Sequence, residues 1–205
     1  MKTVGIIDYG MCNLDSIARA VEECGARPVV TSRAEDLKTV ASFILPGVGA
    51  FADAMANLHK LELPEFLHEQ VMSLGIPLLG ICLGMQLLAT RSFEGAETRG
   101  LGWIEGDVCR LVPTRLGERV PHVGWNEVHL LRPCPLFERI PTGKDFYFVH
   151  SYHFRTANPE DALGTTDYCG GFTSVVGRDR IFGVQFHPEK SQKTGFAVLR
   201  NFLAL

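Results

Sequence analysis

One stretch of the sequence decides the fold: Ile76-Pro77-Leu78-Leu79-Gly80-Ile81-Cys82-Leu83-Gly84-Met85-Gln86-Leu87-Leu88-Ala89. Residues 76–81 predict a buried strand, because the run is short and almost wholly apolar. Residues 83–90 are rich in Leu, Met, Gln and Ala, which favour a helix. Cys82 would therefore lie on a one-residue turn between a strand and a helix.

This position suits a nucleophile. Gly80 and Gly84 flank Cys82 at a spacing of two, and glycines remove the side chains that would clash in so tight a bend. The thiol would project at the carboxyl edge of a sheet and at a helix N-terminus, where the helix dipole favours the thiolate. The alternative is a small core residue between two space-saving glycines. Only a partner base can decide between them.

Length and composition indicate an ordinary globular protein. The 205 residues are 46% hydrophobic and 21% charged, which predicts a single domain over 1–205. The net charge of −3 gives no reason to expect nucleic acid or an anionic membrane surface as a partner. No apolar stretch approaches the roughly 18 residues of a membrane span. Met1 leads directly into a strand-like run, so we expect no signal peptide.

Cysteine usage points to a reducing compartment. The six cysteines are scattered without a C-x-x-C pair, so their spacing predicts neither a metal site nor a disulfide framework. We therefore expect a cytoplasmic protein with reduced thiols, no metal and no cofactor.

The chain up to residue 90 alternates strands and helices. This alternation predicts a parallel sheet with helices on both faces. Because sites in such sheets lie beyond the carboxyl ends of the strands, three segments should cluster there. They are Asp8-Tyr9-Gly10, Pro46-Gly47-Val48-Gly49 and Cys82. The predicted strands are 3–8, 28–31, 42–45 and 76–81. One predicted helix begins after Asn13, which would cap it, and the others lie near 50–60, 64–74 and 83–90.

After Gly100 the pattern changes to strands with few helices between them. We predict strands at 103–108, 120–128 and 145–149, then a hairpin of 172–176 with 181–186, and a last helix capped by Ser191. The fold class is therefore α/β, with a mostly parallel central sheet, helices on both faces and an antiparallel extension.

A candidate base follows the hairpin. In Phe186-His187-Pro188-Glu189, the proline holds His187 in an extended conformation, so His187 and Glu189 can point to the same side. A carboxylate beside an imidazole fixes its tautomer and stabilises the imidazolium. With Cys82, the pair would form a nucleophile, a base and an orienting group.

Attack by a cysteine on a carbonyl group also requires donors for the oxyanion. The N–H of Leu83, directly after the nucleophile, is one candidate. The other should come from the Pro46–Gly49 loop, at Val48 or Gly49, because its glycines let a peptide turn toward the site. A simple strand-terminating turn is the alternative interpretation of this loop.

At this point the sequence resembles the class I (triad-type) glutamine amidotransferases. The resemblance rests on motifs spread from Asp8 to the last helix: Pro46-Gly47-Val48-Gly49-Ala50-Phe51, Gly80-Ile81-Cys82-Leu83-Gly84-Met85-Gln86, Pro121-His122-Val123-Gly124-Trp125-Asn126, Tyr147-Phe148-Val149-His150-Ser151-Tyr152 and Phe186-His187-Pro188-Glu189-Lys190-Ser191. It implies a flavodoxin-like fold and hydrolysis of L-glutamine through a thioester at Cys82. His187 would act as base and then acid, and Glu189 would orient it.

The same resemblance implies further roles. The residues matching the glutamine-binding positions of the family are Gly49, Gln86, Glu94, Ser151 and Tyr152, although Glu94 alone reads equally well as a surface acid. The motifs are most similar to a branch in histidine biosynthesis that passes ammonia to a separate (βα)₈-barrel cyclase subunit, forming a heterodimer with an ammonia channel. Residues expected at that interface are Asn13, Trp125, Tyr147 and Lys190, whose alternative is ordinary core or surface.

Two features bear on these expectations. The chain ends at Leu205 just after the last predicted helix, so we expect no fused cyclase. Met11-Cys12 departs from the family pattern, since Cys12 stands where glycine is usual, and the first loop should differ locally. The competing hypotheses are a glutaminase subunit of another ammonia-transfer synthase, a cysteine peptidase or hydrolase on the same turn, and a binding subunit with a vestigial site.

Overall fold

The computed structural model describes all 205 residues. The six α-helices span Leu14–Glu23 (α1), Ala34–Leu37 (α2), Phe51–Lys60 (α3), Leu63–His68 (α4), Leu83–Leu87 (α5) and Gln192–Ala204 (α6). The strands are Thr3–Ile7 (β1), Arg27–Thr31 (β2), Ser42–Gly47 (β3), Leu78–Cys82 (β4), Arg91–Ser92 (β5), Thr98–Arg99 (β6), Gly106–Arg110 (β7), His122–Leu130 (β8), Lys144–His150 (β9), Tyr152–Thr156 (β10), Ala162–Thr166 (β11), Phe172–Arg178 (β12) and Ile181–Val184 (β13). A π-helical turn, Glu69–Ser73, extends α4, and 3₁₀ turns span Pro135–Phe137, Pro159–Asp161 and Pro188–Lys190.

Five strands form the parallel part of the sheet in the order β2-β1-β3-β4-β13. β4 lies between β3 and β13, so that Gly47 is opposite Cys82 on one side and Val184 is opposite Ile81 on the other. The carboxyl ends of β3, β4 and β13 therefore meet at one edge. This confirms the predicted parallel sheet.

The remaining strands are mostly antiparallel. β12 pairs antiparallel with β13 and then with both β10 and β11, so the sheet divides there. One arm continues from β10 to β7, β5 and β6, and the other from β11 to β8 and β9. The second arm brings β9 back to the end of β13, where the backbone N–H of His187 donates to the carbonyl of Tyr147 (2.9 Å). The predicted antiparallel extension is thus confirmed, and it returns to the central strands.

Apolar side chains form one core on each face of the sheet, because successive side chains of a strand point to opposite faces. Ile44 packs in the core that holds α1 and α6, whereas its neighbours Phe43 and Leu45 pack in the core that holds α3, α4 and α5. All three are fully buried. Helices on both faces of the sheet confirm the predicted fold class.

The glycines around Cys82 permit close contact between α5 and the strands. A Cβ atom on Gly84 would overlap the carbonyl of Leu45 in β3, and one on Gly80 would lie 2.6 Å from the carbonyl oxygen of Gly84. The helix backbone thus rests directly on β3 and β4. This is the role that the sequence predicted for these glycines.

Several local predictions were wrong. The helix after Cys82 ends at Leu87 instead of residue 90, because the chain tightens there into 3₁₀-type bonds such as Leu88 N–H to Met85 C=O (3.2 Å). The first N–H groups of α5 have no intrahelical partner, as at the start of any helix. The dipole of so short a helix is small. Neither Asn13 nor Ser191 caps its helix with its side chain. The elements that the sequence did not predict are α2, β5, β6, β10 and β11.

No helix is both long enough and apolar enough to cross a membrane.

Candidate active site

Cys82 occupies the strand-to-helix turn in a strained conformation. Its backbone has φ 55° and ψ −110°, a region that non-glycine residues rarely adopt and that is characteristic of functional turns. The residue is 7% exposed. Its Sγ lies 3.9 Å from the carbonyl oxygen of Val149 in β9 and 3.6 Å from Nε2 of Gln185, which follows β13. The parallel and antiparallel parts of the sheet thus meet at this sulfur.

His187 and Glu189 form the predicted pair. His187 is extended (φ −98°, ψ 98°) before Pro188, and its Nδ1 lies 2.8 Å from Oε1 of Glu189. Both side chains are buried, at 4% and 2% exposure. Because the carboxylate can only accept, Nδ1 carries the proton and Nε2 is left as the reactive nitrogen. Nε2 has no hydrogen-bond partner, so it is free to exchange a proton.

Ser191 holds this base in place. Its hydroxyl donates to the carbonyl of His187 (2.6 Å) and accepts from the N–H of Tyr147 in β9 (3.0 Å). The hydroxyl is therefore fully used between β9 and the segment that follows β13, which explains why it does not cap α6. Since Ser191 is 1% exposed, the connection is shielded from water.

The electrostatics favour the protonated form of the His187 imidazole. Burial of the imidazole disfavours its charged form, but the interactions with Cys82 and Glu189 outweigh burial and raise the pKa of His187 well above its usual range. In contrast, burial raises the pKa of the thiols of Cys12 and Cys134 to about 11. Those two cysteines stay protonated, while Cys82 has a base beside it.

The predicted oxyanion loop lies next to Cys82 but does not present a free donor at Val48. The N–H of Val48 donates to the carbonyl of Met11 (2.8 Å). Gly49 has φ +125°, a conformation open to glycine and unfavourable for other residues. Leu83 opens α5, where the first N–H groups of a helix have no intrahelical partner. Among the predicted donors, the N–H of Leu83 is therefore free of helix bonds, whereas that of Val48 is occupied.

The first loop supports this arrangement. The hydroxyl of Tyr9 donates to the carbonyl of Pro46 (2.7 Å), and the thiol of Cys12 approaches the same oxygen at 3.4 Å. Cys12, the departure from the family pattern, thus contacts the backbone of the oxyanion loop. Met11 supplies the carbonyl that engages Val48.

Two of the predicted glutamine-binding residues, Gln86 and Tyr152, are hydrogen-bonded to each other. The amide of Gln86 donates to the carbonyl of Tyr152 and to Oε1 of Gln185, both at 2.9 Å. Oε2 of Glu94 accepts from the N–H of Phe51, at the start of α3 and two residues after Gly49 (2.8 Å). Ser151 lies between β9 and β10, and its carbonyl accepts from the N–H of Leu111 (2.9 Å).

The predicted interface residues lie near the base. Trp125 in β8 is opposite Tyr147 in β9, and their ring centroids are 6.0 Å apart. Trp125 is 48% exposed, and Lys190 is exposed at the 3₁₀ turn that α1 contacts. Asn13 is exposed directly before α1. An exposed surface thus surrounds the edge of the sheet that carries His187.

Sequence reasoning missed three buried polar residues beside the site. Gln185 is fully buried and contacts both Gln86 and Cys82. His150 donates from Nδ1 to the carbonyl of Tyr152 (2.8 Å), and His122 contacts Nε2 of His150 (3.0 Å). One signal was available for Gln185: it precedes His187 by two residues, and alternate residues of an extended chain face the same side.

The arrangement can perform nucleophilic attack on a carbonyl carbon, with a thiolate, a base and an orienting carboxylate in sequence. No group of three or more His, Cys, Asp or Glu side chains is placed to hold a metal ion.

Comparisons with known proteins agree with this geometry. The family model "Glutamine amidotransferase class-I" matches residues 5–205. The chain is 48% identical to the imidazole glycerol phosphate synthase subunit HisH of Moorella thermoacetica over 98% of this chain and 94% of that protein. It is 44% identical to HisH of Brucella abortus, covering 98% of this chain and 97% of that protein.

Solved structures show the same fold at low identity. A crystal structure of a glutamine amidotransferase superposes with a TM-score of 0.77 at 18% identity, covering 98% of this chain and 97% of that chain. The PurLQS structure from Thermotoga maritima gives a TM-score of 0.77 at 17% identity, covering 99% and 98%. With a matching family model over nearly all of its length and relatives above 40% identity, the chain belongs to the class-I glutamine amidotransferase family.

Proposed function

We propose that the chain is the glutaminase subunit of an imidazole glycerol phosphate synthase. It hydrolyses L-glutamine to glutamate and ammonia, and it delivers the ammonia to a separate (βα)₈-barrel cyclase subunit. That partner forms imidazole glycerol phosphate and an aminoimidazole carboxamide ribonucleotide in histidine biosynthesis. The observation that carries the proposal is the buried Cys82, His187 and Glu189 arrangement in a chain 44–48% identical to HisH subunits over almost its whole length. A cytoplasmic location stays a prediction.

Formation of the thioester is the first half of the reaction. His187 takes the proton of Cys82 at Nε2, and the thiolate attacks the γ-carboxamide carbon of glutamine. When the tetrahedral intermediate collapses, His187 gives the proton to the leaving nitrogen, which departs as ammonia. Glu189 accepts from Nδ1 throughout and stabilises the imidazolium.

Hydrolysis completes the cycle. His187, now neutral, removes a proton from water, and the hydroxyl attacks the thioester carbon. The carbon–sulfur bond breaks, glutamate leaves, and the proton returns to the Cys82–His187 pair. The balance is one glutamine and one water in, and one glutamate, one ammonia and the proton of the new carboxyl group out.

The Pro46–Gly49 loop supplies a reason for low activity without the partner. With its N–H bonded to the carbonyl of Met11, Val48 cannot donate to an oxyanion, so the peptide must turn before the second donor is available. The N–H of Val48 lies in the Gly47–Val48 peptide, and Gly47 permits that rotation because it lacks a Cβ. Gly49, at φ +125°, allows the backbone on the other side of Val48 to adjust. A missing oxyanion donor lowers kcat by about 10²–10³-fold. The triad can therefore be assembled while the enzyme stays nearly idle.

The decisive experiment measures glutamate release from glutamine at saturating concentration, with the pure chain alone and with the cyclase subunit carrying its nucleotide ligand. We expect kcat to rise about a hundredfold or more in the complex. Gly49→Val should fold and bind the cyclase but show a smaller rise, because valine disfavours the φ of +125° that Gly49 adopts beside the turning peptide.

An unchanged kcat on adding the cyclase would mean that the oxyanion site is already assembled, and the loop would lose its switching role. No glutamate release under any condition would reject the glutaminase assignment itself.

A further inference from the structure

Gln185 is a buried polar residue that the mechanism above does not use. It follows β13 directly, and its backbone N–H donates to the carbonyl of Ser174 in β12 (2.9 Å). The residue is 0% exposed, and a buried amide is expected to satisfy its hydrogen bonds. Its side chain lies between Gln86 and Cys82. Its contacts therefore show which way the amide points.

One backbone carbonyl determines which side-chain atoms donate and which accept hydrogen bonds in this region. The carbonyl of Tyr152 can only accept, so the atom of Gln86 that lies 2.9 Å from it is the amide nitrogen. That nitrogen also lies 2.9 Å from the Gln185 amide, which must present its oxygen there. The other end of Gln185, its NH₂ group, then faces Sγ of Cys82 at 3.6 Å.

The Tyr152 carbonyl is itself held from a second side. Nδ1 of His150 lies 2.8 Å from it and must donate, since the carbonyl cannot. Nε2 of His150 is then an acceptor, and Nδ1 of His122 donates to it at 3.0 Å. The polarity of Gln86 and Gln185 is therefore set by a backbone group that does not rotate freely.

We propose that Gln185 is a further residue of the catalytic centre. It donates an N–H to the Cys82 thiolate, and it fixes the orientation of the Gln86 amide so that the oxygen of Gln86 can accept from the carboxamide of glutamine. The proposal rests on the glutaminase function proposed above for its substrate. Its contact with Sγ stands on the geometry alone.

The donor matters because Sγ has an unfavourable neighbour. The carbonyl oxygen of Val149, 3.9 Å away, can accept from a thiol but repels a thiolate. Gln185 supplies a hydrogen-bond donor to Sγ that does not depend on the protonation of His187. A hydrogen bond to a charged group is stronger than one to a neutral group, so the amide favours the nucleophilic form.

The fixed orientation of the Gln86 amide has a consequence for substrate specificity. Both N–H bonds of its amide are used, on Tyr152 and Gln185, and only its oxygen remains free. An oxygen can accept from the NH₂ of a carboxamide but not from a carboxylate. Gln86 would therefore favour glutamine over the product glutamate.

The test uses the full-length chain and iodoacetamide, which alkylates the thiolate and needs neither glutamine nor a partner. The rate of Cys82 alkylation is followed from pH 5 to 10 for the wild type, Gln185→Met and Gln185→Glu. Methionine keeps the volume without the donor, and we expect the midpoint of the pH profile to move upward by about half to one pH unit. Glutamate adds a negative charge, and alkylation should be slower still at neutral pH.

Ser174→Ala is the matched control. Ser174 is fully buried in the strand that Gln185 bonds to, and its hydroxyl has no hydrogen-bond partner. Its pH profile should coincide with that of the wild type. If the profile of Gln185→Met also coincides, the amide does not act on the sulfur and the proposal is overturned.

A second measurement covers variants that fold poorly. In the wild-type chain, the side-chain NH₂ signal of Gln185 in an NMR spectrum should shift when Cys82 is alkylated, whereas that of Gln70, which is also buried, should not. An unmoved Gln185 signal would count against the contact. Steady-state kinetics in the presence of the cyclase then test whether Gln185 orients Gln86. Gln185→Met should raise KM for glutamine and lower kcat, whereas an unchanged KM would show that Gln185 does not act through Gln86.

Discussion

The two parts of the sheet contribute to the site in different ways. In the parallel part, Cys82 is positioned by neighbours in sequence: Gly80 and Gly84 let α5 lie against β3 and β4, and the strained turn follows. In the antiparallel part, His187 is positioned by Tyr147, far away in the chain. The carbonyl of Tyr147 accepts from the N–H of His187, and the N–H of Tyr147 donates to Ser191, which in turn donates to the carbonyl of His187. The position of Cys82 depends on local backbone geometry, and that of His187 depends on long-range pairing.

This difference predicts which changes each part tolerates. A tight turn fails by steric overlap, which a single methyl group can cause. A base held by hydrogen bonds across strands loses activity when its partners change, even if the fold persists. The predictions below separate the two cases, beginning with the largest effect.

Cys82→Ser should abolish glutamate release while preserving the fold and partner binding, because a hydroxyl is a far weaker nucleophile beside this base. A glutamine-analogue alkylator should label the wild-type chain once, at Cys82, as measured by mass spectrometry. Cys24→Ser is the control, since that thiol donates to the carbonyl of Phe196 (3.6 Å) and makes no contact with the site residues named above, and it should retain full activity. Labelling at Cys12 would reassign the nucleophile.

His187 and Glu189 should differ in effect. His187→Asn removes the group that moves the proton and should lower kcat about 10⁴-fold or more. Glu189→Gln keeps a partner for Nδ1 but loses the negative charge, and should lower kcat somewhat less. Circular dichroism should show both variants folded. Wild-type activity in Glu189→Gln would leave the carboxylate with a structural role only.

Gly84→Ala tests the steric basis of the turn. The added methyl group would overlap the carbonyl of Leu45, and we expect the free energy of unfolding to fall by about 3 kcal/mol or more. Gly25→Ala is the comparison, because Gly25 has φ +85° and nothing within 4 Å of the added Cβ. It should lose only about 1–2 kcal/mol, the cost of the left-handed conformation. Equal losses in urea denaturation would contradict the steric explanation.

The antiparallel part should respond to pH. Burial lowers the pKa of His122 to about 4 and that of His150 to about 3. Both lie below the unfolded value of about 6.5, so the unfolded chain binds more protons and stability falls as pH drops below that value. Between pH 7 and 5 the wild type should lose about 1–2 kcal/mol more than His122→Phe, which keeps a stacked ring but cannot titrate. Equal slopes in denaturation at several pH values would refute this.

Much of the site was readable from the sequence where neighbours in the chain decide the structure. The Cys82 turn, the extended His187 before Pro188 and the parallel pairing of the first strands all follow from local patterns and appear as predicted. The caps at Asn13 and Ser191 were wrong. Ser191 shows why, because tertiary contacts with His187 and Tyr147 took the hydroxyl that would otherwise have bonded its own helix.

The sequence by itself determined the fold class and predicted a nucleophile and its base, because short spacings and apolar periodicity encode a strand, a turn and the residue types of a triad. Only the tertiary structure decided that the N–H of Val48 is bonded to Met11, that the amide of Gln185 faces Sγ of Cys82, and that His122 and His150 hold the Tyr152 carbonyl. These contacts join residues far apart in the chain. A hydrogen bond depends on distance and on which atom donates, and both are set only when the strands have paired.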